Sequence, residues 1–83
     1  MTAQQTVVDF LLVRFRAGIA GGRLRFDDPL ISSGIIDSFG LLEVIAFLED
    51  SFHVTIDPSR QDVAEFDTVN GMVAVVDRAR RAG

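Results

Sequence analysis

The chain has no cysteine, lysine, tryptophan or tyrosine. Without cysteine it has no disulfide, no thiolate metal site and no thiol nucleophile of its own. Cations are missing from the whole interval between Arg25 and Arg60, which holds Asp27, Asp28, Asp37, Glu43, Glu49, Asp50 and Asp57. An acidic centre of this kind repels nucleic acid and anionic lipid and steers basic protein surfaces toward it. Only one histidine, His53, is present, and neither an HExxH nor an EF-hand spacing occurs, so no metal site is expected. Long apolar runs are also lacking. The stretch after Met1–Gln5 is broken by Asp9, Arg14 and Arg16, and no basic residue precedes it. That pattern is neither a signal peptide nor a membrane span, and a cytoplasmic location is expected.

What remains is 83 residues of which 48% are hydrophobic, with seven phenylalanines and a formal net charge of −4. This is enough apolar surface for one compact core and too short a chain for two, so residues 1–83 are read as a single domain. A chain of this size buries roughly 60% of its unfolded surface, which leaves a narrow stability margin.

Apolar residues recur at helical spacing. Val7, Val8, Leu11, Leu12 and Phe15 predict a first helix over Ala3–Ala17, with Gly18 as its stop. Residues 18–37, rich in Gly, Pro and Ser, read as a long connection pinned by Leu24, Phe26, Leu30, Ile31, Ile35 and Ile36. A second helix opens at Asp37 or Ser38, both N-cap types, and closes near Ser51 or Phe52. Its stripe of Leu41, Val44, Ile45, Leu48 and Phe52 is the expected core face. The opposite side carries Phe39, Leu42, Glu43, Ala46, Glu49, Asp50 and His53. Apolar residues among charges suit a docking surface better than a purely solvated face. Asp62–Phe66 reads as one short helical turn with Val63 and Phe66 inward. A last helix starts near Asp67 or Thr68 and buries Val69, Met72, Val73 and Val76. The fold class is therefore all-α: a small four-helix bundle with a long first loop and a short third helix.

Ser38 stands where the loop meets the second helix. The first N–H groups of a helix have no partner within it, and its dipole favours an anion there. These donors suit a phosphate esterified to the serine itself. Nothing else in the chain resembles reactive chemistry. Ile36 occupies the position where a G-x-S-x-G nucleophile elbow needs glycine, which excludes the serine-hydrolase reading.

The run Gly34-Ile35-Ile36-Asp37-Ser38-Phe39, followed by Leu48-Glu49-Asp50-Ser51-Phe52, resembles the acyl carrier protein family, which includes the peptidyl carrier (thiolation) domains. Asp27-Asp28-Pro29-Leu30 upstream and Phe66-Asp67-Thr68-Val69 downstream agree in type and order, so the resemblance spans almost the whole chain. It implies that Ser38 takes a 4′-phosphopantetheine arm from coenzyme A, whose thiol carries cargo as a thioester, and that Asp37 assists the phosphopantetheinyl transferase. It further implies a docking face of Phe39, Leu42, Glu43, Ala46, Glu49 and Asp50. The carrier itself is then not an enzyme. It is expected to be a monomer that serves, in trans, an adenylating or acyl-loading enzyme and a downstream synthase or transferase. The Asp-Ser-Phe-Gly form with Phe47 and Phe52 resembles stand-alone carriers of amino acids at least as much as fatty-acid carriers, which points to polyketide or nonribosomal peptide biosynthesis. Gly40, in place of a polar residue, is expected to loosen the first turn of the helix, and Phe10, Phe15, Phe47, Phe52 and Phe66 to fill the interior. The alternative is an unmodified helical interaction module that uses only its acidic second-helix face.

Overall fold

The computed structural model describes residues 2–82, with side chains for 2–81. Three α-helices occur among the described residues: α1 (Ala3–Arg14), α2 (Ser38–Phe52) and α3 (Val69–Ala82). No strand occurs among the described residues. The expected four-helix bundle is corrected to three. The third helix of the sequence reading is a four-residue 3₁₀ turn, Val63–Phe66, capped by the Asp62 carboxylate. Within it Phe66 is buried, but Val63 is 52% exposed rather than inward. So short a segment forms too few backbone bonds to continue as an α-helix by itself.

Helix α1 is capped by the Thr2 hydroxyl, which accepts from Gln5 N–H, and it buries Val7, Val8 and Leu11. It ends earlier than its pattern suggests. Phe15 leaves the helical region (φ −119°, ψ 26°) while its N–H still bonds Leu11 C=O, and Arg16–Gly18 continues as a 3₁₀ turn. Helix α2 buries Val44, Ile45 and Leu48, with Leu41 and Phe52 half-buried. His53, in the left-handed region (φ 54°), closes α2, as the C′ residue of a helix commonly does. The Thr68 hydroxyl accepts from Gly71 N–H and starts α3, which buries Val69, Met72, Val73, Val75 and Val76.

The core is aliphatic apart from Phe66. Phe10, Phe15, Phe47 and Phe52 pack against it from the rim, half-buried, rather than filling the interior as expected. Phe10 and Phe47 stack with ring centroids 4.0 Å apart, which joins α1 to α2.

The long connection is held by hydrogen bonds as well as by its apolar residues. Asp67, just before α3, receives the N–H groups of Leu30 (3.1 Å), Ile31 (2.7 Å) and Ser32 (2.9 Å) on Oδ1 and the Ser32 hydroxyl (2.9 Å) on Oδ2. Leu30 N–H also reaches the Asp67 carbonyl at 2.7 Å, and Ile36 N–H bonds Leu30 C=O at 2.9 Å. Leu30 and Ile36 are buried, whereas Phe26, expected to help pin the loop, is 40% exposed. Segment 30–36 is thus latched to the start of α3, and the chain leaves it directly into Asp37.

Candidate functional site

The site is built on the first turn of α2. Asp37 is its N-cap, with extended backbone (φ −92°, ψ −177°), and its Oδ1 accepts from Gly40 N–H at 2.7 Å. Leu41 N–H bonds the Asp37 carbonyl at 2.8 Å. Ser38 is therefore the first residue within the helix and not its cap. It is exposed, and among the described residues no hydrogen bond engages its hydroxyl. The N–H groups of Ser38 and Phe39 likewise have no backbone partner.

Gly40 does not loosen this turn. It is buried, and a β-carbon there would lie 2.7 Å from Cε1 of Phe15 and 3.3 Å from Asp37 Oδ1. The missing side chain lets the Phe15 ring pack under the helix start, one residue beyond the point where α1 ends.

Phe39 (79% exposed) and Leu42 (62% exposed) stand on the open side of the same turns, and Ala46 and Asp50 are exposed further along. The other two docking candidates have partners within the chain. Glu43 receives both Nε and Nη2 of Arg14, a two-pronged pair from α1. Hydrogen bonding to Glu43, then its charge, raises the Arg14 pKa above its ordinary value; desolvation opposes this, and the charge of Asp37 adds to it. Glu49 Oε2 accepts from Ile56 N–H at 2.9 Å and so fixes the chain that leaves α2. Neither partnership was legible in the sequence, because Arg14 and Ile56 lie outside α2 and no helical spacing links them to it.

The Asp67 latch was missed for the same reason. Its only sequence signal is an Asp immediately before a Thr that itself caps a helix. The Ser32 N–H, working against desolvation, and then the Ser32 hydroxyl and the Ile31 and Leu30 N–H groups hold the Asp67 carboxyl below its usual range.

A depression of about 390 Å³ lined in part by Ile56, Arg60, Glu65 and Arg78 does not include Ser38. Among the described residues no group of three or more His, Asp or Glu is placed to hold a metal ion. No helix among them is long and apolar enough to cross a membrane.

The family described as "Phosphopantetheine attachment site" matches residues 12–76, a span that includes Ser38 and its whole setting. D-alanyl carrier proteins from two strains of Streptococcus suis, 98HAH33 and 05ZYH33, are each 25% identical over 76 residues, covering 92% of this chain and 92% of theirs. No solved structure matches.

Proposed function

Because the chain belongs to the family of phosphopantetheine-attachment domains, whose working group is a covalently held 4′-phosphopantetheine, we propose that Ser38 carries that arm. The observation that carries this reading is an exposed, unengaged hydroxyl on the first turn of α2, set behind a rigid cap and a latched loop. The residues present fit the group. Ser38 needs only accessibility, since the base comes from the transferase and the activated phosphate from coenzyme A, and the Ser38 and Phe39 N–H groups face no backbone acceptor that a phosphate would have to displace. When attached, the arm supplies the thiol that the cysteine-free chain lacks and holds cargo as a thioester.

Asp37 uses Oδ1 to cap the helix, which leaves Oδ2 for a metal ion or basic residue of the transferase. Phe39, Leu42, Ala46 and Asp50 make up the face on which partners dock; Glu43 and Glu49 lie on the same face but are engaged within the chain, by Arg14 and by the Ile56 N–H. The protein shuttles acyl or aminoacyl groups between a loading enzyme and a downstream synthase or transferase, which act in trans in the cytoplasm, and performs no catalysis itself. The D-alanyl carrier relatives support an aminoacyl cargo, and the Asp-Ser-Phe-Gly motif is the sole ground for placing the protein in polyketide or nonribosomal peptide biosynthesis.

The test is intact mass spectrometry after incubation with coenzyme A and a broad-specificity phosphopantetheinyl transferase. One added phosphopantetheine on the wild-type chain and none on Ser38→Ala is the expected result. A folded wild-type chain that gains no mass would overturn the reading and leave an unmodified interaction module.

A further inference from the structure

Of the three carboxylates on the α2 face, two are occupied from within the chain. Glu49 accepts from the Ile56 backbone, and Glu43 is gripped by both prongs of the Arg14 guanidinium. Asp50 has no partner among the described residues and is exposed. The Arg14–Glu43 pair lies between one exposed and one partly exposed side chain, where such pairs contribute little to stability. Its two-pronged geometry nevertheless uses both oxygens of Glu43, as a cationic partner would. Arg14 comes from the last turn of α1, next to Phe15, whose ring is wedged under Gly40. The guanidinium is therefore delivered to α2 by a packed joint, and it also feels the charge of Asp37, the residue before Ser38.

We infer that Arg14 is a specificity-determining residue: by occupying Glu43 it removes that carboxylate from recognition by cationic partners and leaves Phe39 and Leu42 as the principal contacts beside Ser38. The inference rests on the carrier reading above. A partner that fits this face presents an apolar depression to Phe39 and Leu42 and a cation toward Asp50, but none that depends on Glu43. A partner that relies on an arginine or lysine at Glu43 must first displace Arg14 and binds more weakly by that cost.

The test is a double-variant cycle on the KM for loading of Ser38 by a broad-specificity phosphopantetheinyl transferase, at low and high salt. Glu43→Gln in the wild-type background should change KM by less than about twofold. Arg14→Gln should lower KM by about fivefold at low salt, the scale of one exposed charge pair, with kcat unchanged and the gain lost at high salt. Adding Glu43→Gln to Arg14→Gln should abolish the gain. That double variant keeps the wild-type net charge of −4, one cation and one anion having been removed. Arg16→Gln, an exposed neighbour with no partner among the described residues, is the control for long-range charge and should not reproduce the effect.

Two results would overturn the inference: equal loss from Glu43→Gln in both backgrounds, or the same gain from Arg16→Gln. If the wild-type chain takes no phosphopantetheine at all, the carrier reading fails and this inference with it. A loaded wild type with an uncoupled pair sinks only the role of Arg14.

Discussion

A β-carbon on Gly71 would lie 2.1 Å from the carbonyl oxygen of Glu65, whereas one on Gly40 would meet the edge of the Phe15 ring at 2.7 Å. The difference lies in what can move. The Glu65 carbonyl belongs to the 3₁₀ turn packed on α3, while a half-buried ring can swing. Gly71→Ala is expected to destabilise the domain by about 2 kcal/mol through overpacking, even after alanine's gain of about 1 kcal/mol in helix propensity. In Gly40→Ala the two effects nearly cancel, and urea unfolding should place it within about 1 kcal/mol of the wild type. Equal losses would mean that the two contacts are equally rigid. Ser38 offers a second comparison at this scale. Since Asp37 holds the cap, Ser38→Ala should cost less than about 0.5 kcal/mol, as an exposed surface change does, and Asp37→Ala about 1 kcal/mol. The reverse order in urea titrations would make Ser38 the functional cap. The motif residues were legible because a cap and its helix are neighbours in sequence. Gly40 looked like a weak point because its reason for being glycine, Phe15, sits far away in sequence, just past the end of α1.

Among the elements, the loop between α1 and α2 departs most from an unstructured connection, and Asp67 is the cause. One carboxylate accepts from three consecutive N–H groups and a hydroxyl and so ties residues 30–32 to the start of α3. Asp67→Asn should lower stability by about 2 kcal/mol at neutral pH, the range of hydrogen bonds to a charged group. The pH dependence follows from the depressed carboxyl. Its contribution is fully present above the unfolded value of 3.8 and is lost as pH falls through the lower folded value. Wild-type stability should therefore drop on acidification below that point, and the Asn variant should drop less. Some slope remains in the variant, because the Ser59 hydroxyl and then the Ser59 N–H hold Asp57 low as well. Identical acid limbs in urea unfolding at stepped pH would show that the latch does not depend on charge. Helices α2 and α3 were legible from periodicity and caps. The early end of α1 at Arg14 and the exposure of Val63 within the short turn were not. Both are decided by packing on other elements, which an apolar pattern within one segment does not encode.

For the whole molecule, the radius of gyration of 11.8 Å is what a fully folded chain of this length gives, and its charges are segregated along the sequence. Arginines occupy residues 14–25 and 60–81, with the acidic interval between them. Folding draws Arg14 back onto that interval at Glu43, so the α2 face is less negative than its sequence, and Asp50 becomes its unengaged carboxylate. If partners are steered by a local field and not by net charge, the position of a reversed charge must matter. Asp50→Lys and Asp77→Lys both change the net charge from −4 to −2, the first on the α2 face and the second on exposed α3. Asp50→Lys should raise the KM for Ser38 loading by about fivefold at low salt. The effect should fade as added salt shortens the screening length to a few ångströms. Asp77→Lys should leave KM within about twofold of the wild type at moderate salt, because Asp77 is on exposed α3 and not on the α2 face. Equal effects from the two reversals would mean that partners respond to the net charge of the molecule, and that the α2 face carries no electrostatic address of its own.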